Sequence, residues 1–216
     1  MNPEATVFVV DDEPDIQRSV AWLLESVGLR VEAFGSADAF FAAYRPERAG
    51  CLLLDVRLRG GSGFDVLTRL GGGEAPLPVI MMTAYGDFDT AVRALKAGAA
   101  DIFEKPFREQ ELLDRIGHAI AADGVRRAAR GGQRAVRESL KRLTPRERAV
   151  FERLTAGMTS KAIAAELRLS VRTVDHYRMC ILRKMGATST PQAMGMVLQA
   201  GAQAAARRPE AGHTVG

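Results

Sequence analysis

Five side chains suited to ion and phosphoryl chemistry stand at or just past the ends of apolar runs in this 216-residue chain. Asp11 and Asp12 follow VFVV, Asp55 follows CLLL, Thr83 follows VIMM, and Lys105 follows IFE. Adjacent carboxylates repel one another unless water or a positive charge sits among them. Met alone, the DDE cluster at 11–13 reads as a solvated turn; as a cation site it needs partners from elsewhere. With Asp55, the three carboxylates make a hard oxygen site suited to Mg²⁺, which keeps several waters and commonly bridges to phosphate. Lys105 adds a mobile positive charge and Thr83 a hydroxyl donor, both suited to phosphoryl oxygens. A carboxylate can also be the nucleophile in phosphoryl transfer, giving an acyl phosphate.

These groups meet only if the apolar runs are strands whose ends share one edge. Val7–Val10 reads as a buried strand. Pro14 and Asp15 then open a helical pattern through Ile16, Val20, Leu23, Leu24 and Val27, stopped by Gly28. Leu29–Phe34 is the next strand, and Ser36 caps a helix over Ala37–Tyr44. Cys51–Leu54, a glycine-rich loop and a helix over Phe64–Leu70 follow. Val79–Met82, a helix over Asp87–Ala97, the short strand Ile102–Phe103 and a helix over Arg108–Ile120 complete the first half. Parallel strands require crossover helices, so the alternation predicts an α/β doubly wound five-stranded parallel sheet. Such sheets bind ligands beyond the C-terminal strand ends, where all five residues would lie.

The remainder reads differently. Residues 122–140 are poor in apolar side chains and rich in Arg and Gly, as a linker with helical turns would be. Thr144, Pro145 and Glu147 form a capping signature, and short helices follow over Pro145–Ala156, Ser160–Leu167, Val171–Met185 and Pro191 to about Gln199. This is a small all-α domain over 141–216, with a flexible tail expected after about 205. Charge divides at the same place. Residues 1–121 hold 12 Lys/Arg against 19 Asp/Glu, a net −7, and residues 122–216 hold 18 against 7, a net +11. The basic half favours a polyanion, most simply nucleic acid. Two distant cysteines without metal-ligand spacing, no signal-peptide pattern and no apolar stretch long enough to span a bilayer predict a cytoplasmic protein without membrane association.

In this order and spacing, VVDDEPD, LLLDVRLRGGSG, MMTAYGD and IFEKPF resemble the receiver domain of two-component response regulators, over residues 5–121. The resemblance implies a flavodoxin-like fold in which Asp55 is the phosphoacceptor loaded from a sensor histidine kinase. It implies that Asp11, Asp12, Asp55 and the backbone carbonyl of Arg57 hold Mg²⁺. Thr83 would move toward the phosphoryl group, Lys105 would pair with it, and Phe103 would be the aromatic that follows Thr83 inward. A cis Lys105–Pro106 bond is implied as well. Three positions depart from or sit unusually in the pattern: the family often has proline where Arg59 stands, and Arg57 and Tyr85 flank the acyl phosphate.

From about residue 140 to 200, LTPRERAVFERLTAGMTSKAIAAELRLSVRTVDHYRMCILRKMGATS is similar to the helix-turn-helix module of the LuxR class, nearest to FixJ-like regulators. Ser160–Leu167 would support and Val171–Met185 would enter the major groove. Periodicity agrees: Val174, Tyr177, Ile181 and Met185 share a packed face. Arg172, Thr173, Asp175, His176, Met179 and Arg183 are the DNA-facing candidates, and Lys161, Arg178 and Lys184 the phosphate contacts. Asp175 would accept from a cytosine amino group. The family usually has histidine where Tyr177 stands.

The reading is a transcription regulator with no enzymatic role beyond its own phosphorylation and dephosphorylation. Phosphate on Asp55 would reorder the helix over 87–97, whose Val92 and Lys96 form part of a homodimer face, and so promote binding to promoter DNA alongside RNA polymerase. Two other readings remain: an aspartyl-nucleophile phosphatase, which would generally need an acid where Arg57 stands, and a DNA-binding protein indifferent to phosphate.

Overall fold

A computed structural model describes residues 5–71, 77–84 and 86–205. The chain divides into two compact units between Ala128 and Ala129. In the first, β1 (Thr6–Val10), β2 (Arg30–Phe34), β3 (Gly50–Asp55), β6 (Val79–Thr83) and β7 (Asp101–Glu104) form one parallel sheet in the order β2-β1-β3-β6-β7. The crossovers are α1 (Pro14–Ser26), α2 (Ala37–Ala43), α3 (Gly63–Gly71) and α4 (Phe88–Lys96), and α5 (Glu109–Lys141) follows the last strand. Two-residue strands β4 (Arg57–Leu58) and β5 (Gly61–Ser62) make a small antiparallel ladder within the expected glycine-rich loop.

The central strands are apolar throughout because both faces of the sheet are covered. Val7 and Val9 join one core cluster with Leu24, Leu53, Leu112 and Ile116, while Phe8 and Val10 join the other with Phe40, Leu52, Leu54 and Met81. The order reverses beside β1, so β1 and β3 form the switch point whose C-terminal crevice admits ligands.

The segment expected to be a linker is helical. Residues 122–140 all lie within α5, and the buried Asp123, Val136 and Ser139 show why: they give the segment anchors that its overall polarity hides.

In the second unit, α6 (Pro145–Thr155), α7 (Ser160–Leu167), α8 (Val171–Met185) and α9 (Thr190–Ala205) enclose Val150, Phe151, Ile163, Val174, Ile181 and Met185. No strand occurs among its described residues. The expected α6 capping box is formed: the Glu147 amide donates to Thr144 Oγ1 at 3.3 Å and the Thr144 amide to Glu147 Oε2 at 2.7 Å. Among the described residues, no helix is long and apolar enough to cross a membrane. Tyr85 and the tail after Ala205 lie outside the described residues.

Candidate functional site

β1 delivers Asp11, and β3 delivers Asp55, to the same sheet edge. Asp11 is fully buried. Its Oδ1 accepts the Glu13 amide at 2.9 Å, and its Oδ2 accepts Lys105 Nζ at 2.6 Å. The same ammonium donates to Asp55 Oδ2 at 2.6 Å, while Asp55 Oδ1 accepts the Arg57 amide at 2.9 Å. The β7 end that carries Lys105 is tied to β6, because the Lys105 amide donates to the Thr83 carbonyl at 2.7 Å. Burial works against the Lys105 ammonium, but its bonds to Asp11 and Asp55 outweigh that and raise its pKa above the ordinary lysine value. The Lys105–Pro106 peptide is cis.

Asp11, Asp12 and Asp55 each present an oxygen within 4.8 Å of the other two. A six-coordinate Mg²⁺ with ~2.1 Å bonds separates neighbouring oxygens by about 3.0 Å and opposite ones by about 4.2 Å. The donor set therefore fits such a cation after a small contraction, and its chemistry, carboxylates only, is that of a hard cation.

A glycine lets the backbone close here. A Cβ on Gly63 would lie 2.2 Å from the Asp55 carbonyl oxygen, so α3 can begin directly against the end of β3 only with glycine. The Gly86 amide donates to Glu104 Oε1 at 3.2 Å. This link between the loop after β6 and the end of β7 escaped the sequence reading, as did the contact of Arg59 Nε with Asp12 Oδ2 at 2.9 Å.

Thr83 is buried at the end of β6. Phe103 is buried in the cluster that contains α1 and α5 residues, with the Arg115 guanidinium 4.4 Å from its ring centre. On α4, Val92 is half-buried and Lys96 exposed, beside the exposed Phe88 and Leu95. Burial pushes the Cys51 thiol up to about 12, which removes it from chemistry at neutral pH.

In the second unit, Ser170 caps α8 by accepting the Thr173 amide at 3.0 Å, and the two hydroxyls lie 2.8 Å apart. Val174, Ile181 and Met185 are buried and Tyr177 packs against them, so the opposite face looks to solvent. Lys161, Arg172, His176, Arg178 and Arg183 are exposed, and Met179 is 65% exposed. Cys180 Sγ lies 3.6 Å from His176 Nε2 on this face.

Two candidates on α8 are bonded to neighbouring elements of the unit. Ser160 Oγ donates to Asp175 Oδ1 at 2.9 Å, joining α7 to α8. Lys184 Nζ donates to Glu147 Oε2 at 2.6 Å and to the Arg142 carbonyl at 3.2 Å, joining α8 to the cap of α6. The phosphate role expected of Lys184 thus meets a competing structural one. Burial opposes charge on Glu147, but bonds from Lys184 and Thr144 hold its carboxyl below the usual range.

Residues 7–117 match the response regulator receiver domain family, and residues 141–197 match the family described as bacterial regulatory proteins, luxR family. Together they define a receiver joined to a LuxR-type DNA-binding domain. The chain is 43% identical over 186 residues to nodulation protein W of Bradyrhizobium diazoefficiens, covering 86% of this chain and 82% of that protein. It is 41% identical over 199 residues to the transcriptional regulatory protein FixJ of Azorhizobium caulinodans, covering 90% and 92%. The solved structure of the response regulator StyR matches 91% of this chain and 99% of that one, at 37% identity and a TM-score of 0.84. The chain belongs to the two-component response regulators of the LuxR/FixJ class. A sensor kinase and promoter DNA are the partners this domain pair implies.

Proposed function

We propose that Asp55 accepts a phosphoryl group from a sensor histidine kinase and that this acyl phosphate controls DNA binding by the second unit. The observation that carries the reading is Lys105 Nζ held 2.6 Å from both Asp11 and Asp55 at the ligand-binding edge of the sheet. Asp11, Asp12, Asp55 and the Arg57 carbonyl would hold Mg²⁺. When bound, the cation offsets the repulsion between these carboxylates and incoming phosphoryl oxygens.

The chain's own residues do the rest. An Asp55 carboxylate oxygen forms its bond to phosphorus as the bond from phosphorus to the kinase imidazole nitrogen breaks, and the nitrogen keeps the electron pair. Lys105 already donates to Asp55 and stays charged, so it can follow the new charge onto the phosphoryl oxygens. Thr83, at the next strand end, supplies a hydroxyl to the same group. The Asp55 amide-acceptor oxygen, Oδ1, is fixed by the Arg57 amide, which orients the carboxylate. Beyond its own phosphorylation and dephosphorylation, the chain catalyses no other reaction. Arg57 occupies the place where a phosphatase would need an acid.

The Thr83 movement is read out on α4, where Val92 and Lys96 contribute to a homodimer face, and the paired second units then bind two half-sites near RNA polymerase. The protein acts in the cytoplasm. The test is intact mass after incubation with acetyl phosphate and Mg²⁺. The parent gains one phosphoryl group and Asp55→Asn gains none; equal loading of the variant sinks the assignment. Light scattering on the same samples should show dimers only where phosphate is present.

A further inference from the structure

Beyond the acidic site itself, its rim carries an arginine contact. Asp12, with a side chain 17% exposed, is the most accessible of the three carboxylates, and its Oδ2 is met by Arg59 Nε at 2.9 Å. The Arg59 side chain is 83% exposed. It therefore reaches the rim from solvent.

The local backbone explains how an arginine comes to this position. Arg57 pairs with Ser62 and Leu58 with Gly61, which leaves Arg59 and Gly60 as the two central residues of a tight hairpin. Gly60 has a φ of 90°, whereas Arg168 is the one non-glycine with positive φ among the described residues. A negative φ followed by a left-handed glycine is the arrangement of a type II turn, whose first central position suits proline but accepts any L residue. Arginine at 59 thus keeps the turn while adding a guanidinium within reach of Asp12.

We propose that Arg59 is a built-in competitor for the divalent cation, occupying Asp12 until Mg²⁺ displaces it. The proposal rests on the reading of Asp11, Asp12 and Asp55 as a cation site. A guanidinium and a divalent cation at one Asp12 carboxylate repel each other and draw on the same negative charge. Binding of the cation therefore weakens or displaces the Arg59–Asp12 pair, and that loss appears as weakened affinity. A mostly exposed pair is worth little and is screened by salt, so the weakening is small: about 1.5–5-fold in Kd at low ionic strength. Arg59 sets the cation concentration at which the site fills and adds no reacting group to it.

The measurement is Mn²⁺ binding to the full unphosphorylated chain, read from the electron paramagnetic resonance signal of free Mn²⁺ at low and at high salt. Arg59→Ala and Arg59→Pro should both tighten binding about 1.5–5-fold at low salt, with the gain shrinking at high salt. Arg45→Ala, which removes an equal charge near the opposite end of the sheet, should leave Kd unchanged. If the parent binds Mn²⁺ and the Arg59 variants bind it equally or more weakly, the competition is refuted while the cation site stands. If neither the parent nor any Arg59 variant binds Mn²⁺, or Asp12→Ala binds as the parent does, the cation-site reading itself fails and the competition with it.

Discussion

Asp123 offers a sharp test of where the receiver ends. Its side chain is 2% exposed, on α5, beyond the last residue matched to the receiver family. Its Oδ2 accepts the Gly50 amide at 3.1 Å and Arg127 Nε at 2.6 Å. Arg127, 19% exposed, also donates to the Pro46 carbonyl at 2.9 Å and the Arg48 carbonyl at 2.6 Å. These bonds fasten the α5 segment to the start of β3, the strand that ends in Asp55. Gly50 sits there with a φ of 150°, and a Cβ on it would overlap the Thr6 carbonyl oxygen, so the amide has little freedom to find another acceptor.

Asp123→Ala leaves that buried amide unsatisfied and removes the countercharge of Arg127. Breaking one side of a buried ion pair costs about 3–5 kcal/mol. Arg127 keeps two carbonyl acceptors and some access to water, which places the loss at the lower end, about 2–4 kcal/mol. Asp123→Asn keeps an acceptor for Gly50 and should lose roughly half as much. The same bonds vanish on truncation: a fragment ending at residue 121 should be less stable than one ending at 130 by at least about 2 kcal/mol, worth several degrees in Tm. Urea unfolding followed by circular dichroism measures both comparisons. Equal stability of the two fragments, within about 0.5 kcal/mol, would refute the anchoring role and end the receiver before Asp123.

Two further expectations concern the second unit. Glu147 has its pKa lowered in the fold, so its contribution is present above the unfolded carboxylate value near 4.5 and lost as pH falls through the depressed folded value; Glu147→Gln should lower the urea midpoint near pH 7 by about 0.5–2 kcal/mol equivalent, with the gap closing below pH ~4, and Lys184→Ala should reproduce much of that loss while changing the salt slope of DNA binding less than Lys161→Ala or Arg178→Ala does. Asp175→Ala should relax base preference at one position of each half-site by about 1–3 kcal/mol, and Ser160→Ala should relax the same position more weakly; binding that tightens uniformly, or stability that falls with base preference intact, would assign Asp175 to fastening the helices instead.

Much of the fold was legible because burial on both faces of a parallel sheet leaves a simple trace. The runs VFVV, CLLL and VIMM are apolar at every position, and each carries its polar residue just past its end. The long α5 was not legible. RAARGGQRAV contains two glycines, each costing roughly 1 kcal/mol in a helix interior, and few apolar side chains, which resembles a linker. What holds the helix are anchors that local propensity cannot see: the buried carboxylate of Asp123 and the burial of Val136. Tertiary bonds override propensity here, as they often do.

The acidic site and the α8 face differ in how far sequence could take them for a related reason. Strand ends fix position along one axis, so Asp11, Asp55 and Lys105 could be brought together by counting elements alone. Periodicity likewise placed Val174, Ile181 and Met185 on the packed side of α8. Neither rule says whether a charge on the open side is available to a ligand, because that depends on side chains far away in the chain. Lys184 lies 37 residues from Glu147, Asp175 lies 15 from Ser160, and Asp12 lies in a different loop from Arg59. In each case a group expected to meet DNA or a cation already has a partner, and its affinity for the outside ligand is reduced by whatever that partner contributes. Lys161 and Arg178, exposed on the same unit, are therefore expected to be the stronger sources of phosphate affinity, and Lys184 the weaker, although sequence alone ranks the three together.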